Sequence, residues 1–170
     1  GSYYSSSRIY GEAGDDTSTV SGDNATRIIV YLGDGNDSFN ASAATNLDAG
    51  RSSVRGGRGD DTLVGNDNNN LFYGDAGNDT LNAGGGNDVI YGAWGGSKAI
   101  SESTDIAVFS GTSTDYKLSR ATDTNFEYVY YIQDKRDGSP DGLDTLYDID
   151  RLRFSDGEIN IDSFYEINAE

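Results

Sequence analysis

The sequence predicts an all-β fold: a right-handed parallel β-roll of nine-residue repeats, closed at its C-terminal end by an antiparallel β-cap. Three observations predict it. Residues Gly56 to Tyr91 divide, in phase, into GGRGDDTLV, GNDNNNLFY, GDAGNDTLN and AGGGNDVIY. The sixth position of these repeats reads Asp61, Asn70, Asp79, Asp88, and the eighth reads Leu63, Phe72, Leu81, Ile90. Past Tyr91 the phase is lost, and DYKLSR, FEYVYYIQD and DTLYDIDRLRFSDGEINID alternate apolar and polar residues with the period of strands.

Each repeat explains itself locally. The first six residues are turn formers, whose glycines permit positive φ and let carbonyl oxygens converge. The last three make a short strand with one inward apolar side chain. Two repeats then complete one coil turn, which places loops of the same edge 18 residues apart, as Asp61 and Asp79 are, and as Asn70 and Asp88 are. A cation between stacked loops is shared by carboxylates and backbone carbonyls, the oxygen donors that calcium prefers.

Weaker copies lie upstream. LGDGNDSFN (32–40) keeps Asp37 and Phe39 in register, while GEAGDDTST (11–19) keeps Asp16 but has Ser18 at the apolar position. Asp16 to Asp37 spans 21 residues and Asp37 to Asp61 spans 24. The excess over 18 is read as bulges in the opposite-edge segments, so that Asp16, Asp37, Asp61 and Asp79 stack on one edge. The other edge is expected to carry Asp23, Asp48, Asn70 and Asp88. GAWGGSKAISESTDIAVFSG reads as a last, looped-out turn, with Asp105 in the aspartate place, Val108 or Phe109 as its apolar residue and Trp94 plugging the core. GSPDG (138–142) is a turn, and Asp137, Asp141 and Asp144 around it read as solvated, with an extra metal site as the alternative. The expected boundary sets the roll at 1–110 and the cap at 111–170.

Composition excludes several functions. The chain has 170 residues, 29 acidic and 12 basic, for a net charge of −17, which repels nucleic acid and anionic membranes. It has no cysteine, histidine or methionine. That removes ordinary zinc, copper and haem sites and the Ser-His and Cys-His nucleophiles, and leaves a hard cation as the staple for a small domain without disulfides. No segment is long and apolar enough to span a membrane, and no signal peptide is visible; the opening Gly1-Ser2 reads as an excised fragment. Only 35% of residues are hydrophobic, yet 12 tyrosines and 6 phenylalanines argue against simple disorder.

The repeat G-G-x-G-x-D-x-U-x, with U a large apolar residue, resembles that of the RTX (repeats-in-toxin) proteins exported by bacterial type I secretion. The second half is similar to the D-x-A-V-F-S-G, D-G-x-D-T-L and L-x-F-x-D-G segments that follow such repeats, found here at 105–111, 141–146 and 152–157. The resemblance implies several calcium ions in the loops, an extracellular location and a non-catalytic role. The candidate metal positions are Asp16, Gly33, Gly35, Asp37, Gly56, Gly57, Arg58, Gly59, Asp61, Gly74, Asp75, Gly77, Asp79, Gly84, Gly86, Asp88 and Asp105. The departures, Asn70 for aspartate and Ser18 for the apolar residue, weaken the expectation at Asp16 and on the Asn70 edge.

Paired carboxylates such as Asp60 and Asp61 follow the repeat period rather than lining a cleft, so they are not read as a glycosidase pair. Arg51, Arg55 and Arg58 form the one local basic cluster, read as offsetting acidic neighbours or as contacting an acidic polysaccharide such as alginate. Tyr128, Tyr130 and Tyr131 read as alternating strand residues. The sequence therefore points to a monomeric, secreted, calcium-triggered folding module that is not an enzyme. The alternatives are a polysaccharide-binding accessory module, as in mannuronan C5-epimerases, or a segment of a cell-surface adhesin.

Overall fold

In the computed structural model, described for residues 7–22, 28–45, 52–93, 103–124 and 128–168, short strands coil back and forth between two facing sheets. One sheet contains β1 (Ser7–Tyr10), β3 (Ile28–Asp34), β5 (Ser53–Arg58), β7 (Leu71–Ala76) and β9 (Val89–Tyr91), all parallel. The other contains β2 (Thr17–Gly22), β4 (Ser38–Ala44), β6 (Thr62–Val64), β8 (Thr80–Asn82) and β10 (Ile106–Val108), also parallel.

The irregular spacings resolve as the bulge reading expects. Thr17 pairs with Ser38, and Ser38 with Thr62, which bring the 21- and 24-residue intervals into one row. Thr62 pairs with Thr80 at the regular 18.

The core is two columns of inward residues, each two positions after the turn. Val30, Val54, Phe72 and Ile90 line one sheet and Phe39, Leu63 and Leu81 the other, none more than 2% exposed. Phe39 and Phe72 meet edge to face across the sheets, 6.4 Å between ring centroids. Ser18, in register with Phe39, is only half-buried. In the looped-out turn the inward residue is Ala107, not Val108, and Phe109 is buried beyond it.

The C-terminal part adds one more parallel turn before it caps. β13 (Leu143–Tyr147) pairs parallel to β9, and β14 (Arg151–Phe154) parallel to β10, with Leu146 and Leu152 extending the two core columns. Antiparallel strands flank them: β11 (Tyr116–Thr122) and β12 (Tyr128–Asp134) beside β13, and β15 (Gly157–Asn160) beside β14. Phe109, Tyr116, Phe154 and Phe164 cluster at centroid distances of 5.1 to 5.8 Å and tie the cap to the roll. Trp94, the expected plug, lies outside the described residues.

The alternation in FSDGEINID does not run on as strand. β15 stops at Asn160, whose Oδ1 accepts the backbone N–H of Asp162 and of Ser163, and α1 (Ile161–Asn168) begins there. A side-chain oxygen that satisfies the first free N–H groups is what starts a helix. Tyr128 on β12 is exposed, while Tyr130 is buried and hydrogen-bonded to Asp162.

Candidate metal centre

The turns leaving the first sheet all end on an aspartate, and each aspartate is tied to the turn before it. The Oδ1 of Asp37 accepts the backbone N–H of Asp16 at 2.7 Å, that of Asp61 accepts Asp37 at 2.8 Å, and that of Asp79 accepts Asp61 at 2.9 Å. Asp105 accepts Asp79 at 3.0 Å, and Asp150 accepts Asp105 at 2.9 Å. On the opposite edge Asp88 accepts the N–H of Asn70 at 2.6 Å and Asp144 that of Asp88 at 2.7 Å.

The second carboxylate oxygen is the informative one. Oδ2 of Asp16, Asp37, Asp61, Asp79 and Asp88 is buried and has no hydrogen-bond partner in the protein. A buried oxygen left so costs about 1–3 kcal/mol, and more when it is charged. These oxygens also face other oxygens. A Cβ built on Gly74 would collide with Asp79 Oδ2 and lie 2.6 Å from Gly92 O. One on Gly56 would collide with Asp61 Oδ2 and lie 2.8 Å from Gly74 O, and one on Gly11 would collide with Leu32 O and lie 2.6 Å from Asp16 Oδ2. Glycine at the first repeat position thus keeps open a space flanked by a carboxylate oxygen and a carbonyl of the next turn.

Burial pushes the Asp79 carboxyl up to about 8 and Asp61 up to about 7, the neighbouring ladder carboxylates adding to the rise. Asp88 is raised by its burial, and Asp144 by burial and the charge of Asp88. Oxygen crowding without a donor, in a cavity of this kind, is what a hard cation relieves. Among the described residues no three His, Cys, Asp or Glu side chains converge. A cation in these spaces would be met by one or two carboxylates and by backbone carbonyls.

Turn conformation supports the same picture. The second and fourth loop positions are left-handed at Gly33 and Gly35, Gly57 and Gly59, and Gly84 and Gly86, and also at Gly77. Glu12 and Asp75 adopt the same conformation without being glycine. The side chain of Asp75, a candidate ligand, turns to Arg55 instead, accepting from its Nε at 2.9 Å and from Nη2 at 2.5 Å, with the guanidinium 5.2 Å from the Tyr73 ring centre. Arg58 is exposed and 3.5 Å from Asp34. Two members of the basic cluster thus sit against acidic neighbours, while Arg51 lies outside the described residues.

On the second edge Asp23 and Asp48 also lie outside the described residues. The row through Asn70 continues to Ser52, whose Oγ accepts the N–H of Ile28 at 3.0 Å, so that row holds serine and isoleucine where aspartates were expected. The GSPDG reading needs correction too. Asp141 and Asp144 are buried; Asp141 accepts from Ser110 and Tyr116 and pairs with Arg136 at 3.2 Å, leaving Asp137 as the exposed one.

Asp144 and Asp150 were missed as members of the ladders. A signal existed: the tripeptide Asp-Thr-Leu recurs at 61–63, 79–81 and 144–146. An outer row went unread as well, in which Asp15, Asn36, Asp60 and Asn78 accept the N–H of Asn36, Asp60, Asn78 and Thr104 in turn.

Residues 6–25, 48–81 and 64–97 match the RTX calcium-binding nonapeptide repeat, in four copies. These segments of the roll are RTX calcium-binding repeats. Those segments carry Asp16, Asp61, Asp79 and Asp88, four of the five orphaned Oδ2 atoms, and the RTX repeat supplies the reason for the crowded oxygens: its loops bind calcium. No curated protein sequence matches the chain.

Proposed function

We propose that this RTX roll is a non-catalytic, calcium-triggered folding module of a secreted bacterial protein, open and exportable where calcium is scarce and folded outside the cell. The observation that carries this is the row of buried Oδ2 atoms at Asp16, Asp37, Asp61 and Asp79, each without a donor. A chain of net charge −17 does not gather such carboxylates in its interior unless cations neutralise them.

In this reading Asp16, Asp37, Asp61 and Asp79 hold calcium on one edge and Asp88 with Asp144 on the other. Carbonyls such as those of Leu32, Gly74 and Gly92 complete the sites, and Asp105 continues the first row towards Asp150. The bound ions supply charge neutralisation and nothing else. Residues 1–110 form the metal-dependent roll, and 111–170 close it while lending Asp144 and Asp150 to its last turn. The assignment of the carboxylates to the ladders, with the absence of histidine and cysteine, speaks against catalysis. A polysaccharide-binding role has less support, since Arg55 is taken up by Asp75 and Arg58 lies against Asp34.

Circular dichroism tests the proposal. The chain is expected to be largely unfolded in chelator and β-rich in millimolar calcium, with a midpoint of about 10⁻⁴–10⁻³ M. A spectrum indifferent to chelator contradicts it.

A further inference from the structure

The loop 65–70 is built differently from the loops it stacks with. Its aspartate place holds Asn70, 3% exposed, and the amide nitrogen is ringed by oxygens: Asn66 Oδ1 at 3.2 Å, Asn66 O at 3.3 Å, Ala83 O at 3.2 Å, and Asn68 O in closer contact. Ala83 O lies thirteen positions after Asn70, as Gly92 O lies thirteen after Asp79 and Gly74 O thirteen after Asp61. The same carbonyl that faces a bare carboxylate oxygen in the aspartate loops is here met by an N–H donor.

The orientation of the amide follows from its surroundings. Turned over, it would press Oδ1 against four oxygens, whereas as placed the two N–H hydrogens are shared among four acceptors and only Oδ1, on the side away from Ala83 O, is left buried without a partner. The backbone agrees. Left-handed residues stand at the second and fourth positions in the loops of Asp16, Asp37, Asp61, Asp79 and Asp88, but Asn66 and Asn68, in those two positions, are not left-handed. Asn66 is also turned to a different task, its Nδ2 donating to Ala44 O at 2.6 Å.

We propose that the Asn70 amide stands in for a cation: it bridges loop 65–70 to the following turn, so this loop takes no calcium and forms a metal-independent staple in the middle of the roll. The inference rests on the reading of the aspartate loops as calcium sites. It gives the roll a point where two coil turns, through β6 and β7 and on to β8, are joined without an ion between them.

The test compares the natural chain with Asn70→Asp by calorimetric titration with calcium, together with hydrogen exchange of the Asn70 side-chain amide, assigned by its absence from the variant's spectrum. The expected results are one additional calcium per chain in Asn70→Asp, and exchange of the Asn70 amide in the calcium-loaded natural chain at least ~10-fold slower than a free amide. Should Asn70→Asp fail to fold, the exchange measurement on the natural chain still decides. An unchanged ion count in a folded Asn70→Asp, or an Asn70 amide exchanging at the free rate, overturns the inference. A natural chain that binds no calcium at all would instead refute the calcium reading of the aspartate loops.

Discussion

Asp79 holds Asp61 with one carboxylate oxygen and leaves the other bare: Oδ1 accepts the Asp61 backbone N–H at 2.9 Å, while Oδ2 is buried without a partner. The first bond sets the register between coil turns. The second oxygen is the one that, in the proposed function, a cation would neutralise. Structure and metal dependence thus lie on the two oxygens of one side chain.

Position in the ladder sets the cost of losing an aspartate. Asp79→Ala removes a proposed ion ligand and also strands the buried N–H of Asp61, whereas Asp16→Ala strands no N–H among the described residues. The difference is expected to be about 1–3 kcal/mol, the cost of one orphaned buried donor. Calcium midpoints followed by dichroism should rank Asp79→Ala well above Asp16→Ala; equal midpoints would mean that the turns are not linked in this way.

Gly74→Ala puts a methyl group into the space between Asp79 Oδ2 and Gly92 O. Its calcium midpoint should rise at least ~10-fold, because the neighbours are a buried carboxylate and backbone and cannot yield. Gly138→Ala is the control. It has φ +80° and open space around it, so it should cost about 1–2 kcal/mol of backbone strain without a specific effect on the ion count.

Asp144 lies outside the nonapeptides yet accepts the N–H of Asp88 at 2.7 Å. Asp144→Ala should therefore raise the calcium midpoint, as loss of a repeat aspartate does. A midpoint unchanged by this substitution, measured in the same titration, would sever the cap from the metal-dependent part of the molecule.

Proton and calcium should compete. Without metal, Asp61 and Asp79 titrate in the folded state near 7 and 8, raised by burial from an unfolded value near 4. Their contribution to the calcium-free fold is therefore fully present below pH 4 and lost as pH rises through 7 to 8. Chelated protein should be more ordered at pH 5 than at pH 8, and calcium binding at pH 7 should release protons. Titration calorimetry in buffers of different ionisation enthalpy measures that release, and none at pH 7 would contradict the assignment.

Where the sequence repeats itself, the fold was legible. The phase from Gly56 to Tyr91 predicts the strands, the inward column and the stacking of Asp61 on Asp79. Even the 21- and 24-residue intervals fall in the expected row, with Thr17 on Ser38 and Ser38 on Thr62, although the pairing of β2 with β4 shifts register between Thr19 and Ser21. The cap was harder. Period-two alternation marks strands but not their direction, so nothing in DTLYDID shows that β13 and β14 rejoin the roll in parallel. The break between β15 and α1 depends on one side chain, Asn160, whose Oδ1 reaches forward to accept two N–H groups. The Asp75 side chain illustrates a third limit: its place in the repeat suits a ligand, but Arg55, twenty residues away, claims it. Long-range pairing of that kind has no local signature.

In the proposed function a cation sits between the bare oxygen of a repeat aspartate and a carbonyl of the next turn. Anomalous scattering from crystals grown in calcium tests it most directly. The expected result is a metal peak within about 2.3–2.6 Å of both Asp61 Oδ2 and Gly74 O, repeated one turn later at Asp79 Oδ2 and Gly92 O. Peaks confined to the exposed outer row of Asp15 and Asp60, with Asp61 Oδ2 and Asp79 Oδ2 bound by water or protein, would contradict it.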